Sequence, residues 1–185
     1  PKHPTIRAAE ARFLTQQGDY TGARNILNQL TQRYPDAPAY VLWLADATKG
    51  PGGLEAAQSL LRDWLRGHPD NVAVRLELAK LGIDADDYAV AIEQYRRILD
   101  SNDQNAVALN NLAMLLAEQN PDEALGYADR ALALYPDNAA FIDTKGTVLM
   151  AKGDFKGAVE LLAKAHEGST DPSIGFRYAK ALANS

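Results

Sequence analysis

The chain contains no cysteine. That excludes a disulfide framework, a thiolate zinc site and a thiol nucleophile. It has no apolar run approaching the ~18 residues of a membrane span, so direct membrane insertion of this segment is not expected. It has no surplus of positive charge: the net charge is −5 and the pI about 5.2. Nucleic-acid surfaces are usually basic, so nucleic acid is not an expected partner. Only three histidines occur, His3, His68 and His166, and none has a metal-type partner at helical spacing. No metal or cofactor is therefore expected. The chain opens at Pro1 without Met and shows no signal-like segment, so it reads as a piece of a longer protein.

What the sequence does have is repetition at a fixed period. Ala23, Ala57, Ala91, Ala124 and Ala158 fall at steps of 34, 34, 33 and 34. Ala11, Ala45, Ala79, Ala113, Gly146 and Ala179 follow at 34, 34, 34, 33 and 33. Pro35, Pro69, Asp103 and Pro136 form a third series at 34, 34 and 33. The missing residue lies between Ala113 and Ala124, at the turn of Gln119, Asn120 and Pro121. Three series with one period indicate stacked supersecondary units.

Each unit holds two helical stripes. Leu109, Leu112, Ala113 and Leu116 recur at i, i+3, i+4 and i+7, and Ala124, Leu125, Ala128, Ala131 and Leu132 form the matching stripe. Breakers separate them: Gly18-Asp19, Gly52-Gly53, Asp86-Asp87, Asn120-Pro121 and Gly153-Asp154. Glycine there suits a left-handed helix end, and Asp caps the next helix. Between units, Pro35, Pro69 and Pro136 stop the second helix, and the Asp or Asn that follows is expected to cap the next first helix. Small residues in the two alanine series let paired backbones approach closely. The pattern predicts an all-α fold of eleven helices in hairpins at 4–37, 38–71, 72–105, 106–138 and 139–171, with a final helix at 172–183. A single hairpin cannot bury its apolar face, so the units stack as one array spanning 1–185.

These residues resemble the tetratricopeptide repeat family over nearly the whole chain. That family has a small residue at unit position 8, an aromatic near 17, Ala at 20 and Pro at 32. Ala11, Tyr20, Ala23 and Pro35 fill those positions in the first unit, and Gly146, Phe155 and Ala158 do so in the fifth. Position 27, often Ala in the family, is Leu30, Trp64 and Ile98 before it returns to Ala131 and Ala165. The resemblance implies an α-solenoid wound as a right-handed superhelix. The second half, with Asn110-Asn111-Leu112-Ala113, Asp143-Thr144-Lys145-Gly146 and Gly153-Asp154, also resembles bacterial tetratricopeptide lipoproteins associated with exosortase and exopolysaccharide systems. That likeness implies a periplasmic or outer-membrane-associated address; without it the chain reads as cytoplasmic.

Catalytic signals are weak. Gly50-Pro51-Gly52-Gly53 lacks the Lys and the preceding strand of a phosphate loop and reads as a longer turn. Asp84, Asp86 and Asp87 lie in a solvated turn, without the burial that acid–base work needs. His68 and His166 read as structural. No enzyme is indicated.

In the family the first helices of the hairpins line a concave face. Carried over position by position, the resemblance implies a groove presenting Trp43, Asp46, Glu77, Lys80, Asn110, Asn111, Asp143, Thr147, Arg177 and Lys180. Asn is a poor helix-interior residue, so Asn110 and Asn111 call for a reason, and Asn111 is expected to be the ligand contact of the two. No window reproduces the family's clamp for chaperone C-termini. The expected function is a protein-interaction scaffold that binds an extended peptide or protein partner, in the setting of bacterial exopolysaccharide or envelope assembly. Direct polysaccharide binding along the groove is the alternative. The apolar stripe of the last helix adds an expectation of end-to-end self-association.

Overall fold

The computed structural model describes residues 3–50 and 52–185; Pro1 and Pro51, named above, lie outside them. Among the described residues there are eleven α-helices and no strand. They are α1 (Pro4–Gln16), α2 (Tyr20–Arg33), α3 (Pro38–Thr48), α4 (Leu54–Leu65), α5 (Val72–Asp84), α6 (Tyr88–Ser101), α7 (Ala106–Leu116), α8 (Pro121–Leu134), α9 (Ala139–Ala151), α10 (Phe155–Glu167) and α11 (Pro172–Asn184). Odd-numbered helices are the first helices of the hairpins. The chain divides into two compact units, Pro1–Gln94 and Tyr95–Ser185.

The turns follow the sequence logic with two departures. Gly18, Gly52 and Gly153 take φ near +80°, where glycine alone is unstrained. In the third hairpin Asp86 adopts that conformation at φ 55°. Asn71, Asn105 and Asn138 cap α5, α7 and α9 by accepting backbone N–H bonds. Asp36 does not cap α3: that helix starts after Ala37 with no side-chain cap and with Pro38 in its first turn. Asp36 instead meets His68 Nε2 at 3.0 Å.

In the first unit the core runs from Ala8, Ala11, Ala23 and Leu27 to Leu44, then from Val41, Ala57 and Leu61 to Leu78 and Leu81. Trp64, where the repeat often has alanine, packs partly buried against this core. Its indole N–H donates to the Pro35 carbonyl at 2.8 Å and its ring stacks on His68 at 3.8 Å. At Gly82 a Cβ would lie 3.0 Å from the Asp87 carbonyl oxygen and 3.1 Å from the Ala91 amide nitrogen, so the two helices of the third hairpin cross there at close range.

In the second unit Ala113, Ala124, Ala128 and Ala131 are buried between helices, and Ala158, Leu162 and Ala181 pack together. Turns are tied to the following second helix: Arg130 donates to the Asp103 carbonyl at 2.6 Å, and Lys164 pairs with Asp137 at 3.1 Å.

Register explains the apolar residues left outside. Val74 and Leu81 of α5, and Ile174 and Ala181 of α11, are buried. Their equivalents in α1, two units earlier than α5, are Ile6 and Phe13, and both are about 60% exposed. In α11, Ala179 occupies the small-residue position and is exposed. Phe176 on the same helix is 73% exposed.

Candidate binding site

In the first unit α1, α3 and α5 are neighbours. The Arg12 guanidinium lies over the Trp43 ring, 5.3 Å from its centre, a cation–π contact. Tyr40 tilts against the far side of the same row, 5.9 Å from Trp43 and 5.8 Å from Tyr34. Below this row, Lys49 pairs with Asp46 at 3.0 Å, and Lys80 lies 3.9 Å from Glu77 and 3.7 Å from Asp84. The hydrogen bond to Asp46 holds the Lys49 pKa above its ordinary value, with the charges of Asp46 and Glu77 adding and partial burial opposing. The four residues expected here, Trp43, Asp46, Glu77 and Lys80, are thus already engaged with one another or with near neighbours.

In the second unit α9 lies between α7 and α11. Asp143 is buried, 5% exposed, where the sequence reading placed it open in the groove. Arg177 of α11 donates to both its carboxylate oxygens, from Nε at 2.8 Å and Nη2 at 2.6 Å. The pair fastens α9 to α11 and leaves neither partner free. Thr147 turns its hydroxyl onto the Asp143 carbonyl one turn back, at 2.9 Å.

The two asparagines are used differently inside the fold. Asn111 donates from Nδ2 to the Tyr95 hydroxyl at 3.1 Å, and Tyr95 is a buried residue of α6 whose pKa burial pushes up. Asn111 therefore anchors α7 to α6. Asn110 carries the unspent group: its Oδ1 is buried without a hydrogen-bond partner.

One end of this face opens into a concavity of about 420 Å³, lined by Ala117, Glu118, Thr147, Met150, Ala151, Phe155, Lys180 and Asn184. Glu118 follows α7 on one wall and Lys180 projects from α11 on the other. Neither belongs to an ion pair or side-chain hydrogen bond. The chain's two methionines, Met114 and Met150, sit on α7 and α9, and Met114 is exposed. Methionine is common on surfaces that bind partners because its thioether stem adapts its shape. Of the ten groove residues implied by the sequence, the structure brings Thr147 and Lys180 to this concavity. Glu118, Met150 and Phe155 were not among them; Met150 stands three residues beyond Thr147, and Glu118 seven beyond Asn111. Among the described residues no three His, Asp or Glu side chains converge to hold a metal ion, and no helix is long and apolar enough to cross a membrane.

Paired helices of this length, joined by tight turns and repeated at 33–34 residues, define the stacked-hairpin class of all-α proteins. The chain belongs to the tetratricopeptide repeat family. Two models described as Tetratricopeptide repeat match it, one over residues 1–46 and 115–172, the other over 52–106 and 83–139. Solved structures agree on the fold. A tetratricopeptide repeat protein from Parabacteroides merdae ATCC 43184 aligns with a TM-score of 0.81 at 18% identity, covering 98% of this chain and 77% of that one. MamA 41-end from Desulfovibrio magneticus RS-1 gives 0.73 at 15% identity, covering 90% and 95%. In sequence, Cellulose synthase operon protein C of Pseudomonas fluorescens (strain SBW25) is 28% identical over 177 residues, 88% of this chain. The match spans 14% of that protein's length.

Proposed function

We propose that the chain is a non-catalytic interaction scaffold whose second unit binds an extended segment of a partner protein across α7, α9 and α11. The observation that carries this reading is the concavity at Met150. Its floor carries the partly buried Met150, two unpaired charges of opposite sign flank it, and Met114 is exposed one helix away. Elsewhere on the first helices the expected groove charges are spent on each other. The paired row around Trp43, Asp46, Glu77 and Lys80 serves as a second contact surface on the first unit. The setting we propose is exopolysaccharide or envelope assembly, on the strength of the cellulose synthase operon relative.

The test is site-specific photo-crosslinking in the source cell. A crosslinking amino acid at Met114 or Met150 is compared with one at Lys156 or Glu160, which are exposed on α10. Adducts from the first two positions alone support the reading. Adducts from α10 alone overturn it.

Direct polysaccharide binding is a second reading, favoured by the aromatic row of Tyr34, Tyr40 and Trp43. Arg12 covers one face of Trp43 and leaves less ring for a sugar to stack on. End-to-end self-association draws on Ile6 and Phe13 of α1 and on Phe176 and Leu182 of α11, all exposed apolar residues. Sedimentation that stays monomeric at high concentration would remove it.

A further inference from the structure

The concavity between α7 and α11 has a polarity that constrains its ligand. Its floor is α9, contributing Thr147, Met150 and Ala151, with Phe155 of α10 behind. Ala117 and Ala151 are small, and that leaves space above the floor. Glu118 supplies a negative charge on the α7 wall, where the carbonyl end of that helix adds to it. Lys180 supplies a positive charge on the α11 wall. Neither is neutralised within the molecule, whereas Asp143 of α9 and Arg177 of α11 neutralise each other.

We propose that this concavity recognises a dipolar segment: an apolar side chain seated on Met150 and Phe155, with a basic residue on the Glu118 side and an acidic residue on the Lys180 side. This rests on the scaffold reading above and names the chemistry of its ligand. In an extended chain, residues two apart share a face and stand ~7 Å from one another. The apolar residue therefore points to the floor while the charged residues at i−2 and i+2 reach the two walls. The segment can run in either direction, because the requirement is opposite charges on opposite sides. Segments with two acidic flanks meet Glu118, and those with two basic flanks meet Lys180.

The experiment titrates the 185-residue chain, labelled with ¹⁵N, with four blocked peptides on a Gly-Ser background. Their centres are Lys-Gly-Leu-Gly-Asp, Asp-Gly-Leu-Gly-Asp, Lys-Gly-Leu-Gly-Lys and Lys-Gly-Ser-Gly-Asp. The mixed-charge leucine peptide should shift the amides of Thr147, Ala151 and Lys180. It should bind roughly threefold or more tighter than either like-charged peptide. Replacing its leucine by serine should weaken it on the order of tenfold. Glu118→Lys should make the doubly acidic peptide the best ligand, and Lys180→Glu the doubly basic one. Both positions are exposed, so the variants keep the fold, and circular dichroism verifies that. Equal binding of all four peptides, or a ranking that neither variant changes, overturns the proposal. If no peptide shifts these amides, the proposal also falls, and the crosslinks from Met114 and Met150 then decide whether the scaffold reading stands without it.

Discussion

Arg177 holds the buried Asp143 carboxylate through two parallel hydrogen bonds of 2.8 and 2.6 Å, and this pair fastens α11 to α9. Planar guanidinium-to-carboxylate pairing is strong and geometrically specific. Removing Arg177 leaves a buried charge alone. Arg177→Ala is expected to cost about 2–4 kcal/mol, less than the fullest burial would give because the guanidinium side is partly wet. Asp143→Leu combined with Arg177→Met should recover most of that loss. Chemical denaturation of the three proteins measures both effects.

The Asn111 bond to the Tyr95 hydroxyl implies a stability role. Asn111→Ala strands a buried hydroxyl and should cost about 1–2 kcal/mol. Asn110→Leu removes an amide whose oxygen already lacks a partner, so it should be close to neutral or stabilising. Thermal melts that rank the two the other way would contradict this assignment.

Ala91 is completely buried and its amide faces Gly82. Ala91→Glu would overpack the contact and bury an unpaired carboxylate, costing upward of ~2 kcal/mol. An unchanged melting temperature would show that the helix register is wrong.

His68 places both ring nitrogens against acceptors, Nδ1 at 3.1 Å from the Trp64 carbonyl and Nε2 at 3.0 Å from Asp36. The Asp36 hydrogen bond, followed by that to Trp64, raises the His68 pKa above its ordinary value of 6.5. A group with a raised folded pKa stabilises below its unfolded pKa, and that gain is lost as pH rises through the folded value. The chain should therefore lose a small increment of stability as pH rises from about 6 through the raised pKa. His68→Gln should flatten the profile over that window. A wild-type profile already flat there, or one that rises, would count against the contact.

The fold was legible because three residue series shared one period, and a period survives local variation. Even the missing proline at Asp103 did not obscure it. The turn chemistry was mostly legible: glycines and asparagines sit where the helix ends need them, and Asp36 differs because His68, 32 residues on, competes for its carboxylate. The groove was less legible. Position within a repeat tells which helix face a residue lies on, but not whether its charge is already spent. Asp143 looked like a ligand contact until Arg177, 34 residues later, was seen to neutralise it. Asn111 looked free for the same reason, since its partner Tyr95 lies on another helix. Glu118 and Met150 lie at the ends of their helices, beyond the part of the face weighed in the sequence, and only the packing of α7, α9 and α11 brings them together.

The most direct test of the scaffold account uses the partner recovered by crosslinking. Its affinity is measured by calorimetry for the native chain, for Met150→Asp with Lys180→Glu, and for a control, Lys156→Glu with Glu160→Lys on α10. The account predicts a loss of tenfold or more for the first variant, about 1.4 kcal/mol, with the control unchanged and all three equally helical. Full affinity in the groove variant, with a loss in the α10 control, would contradict it.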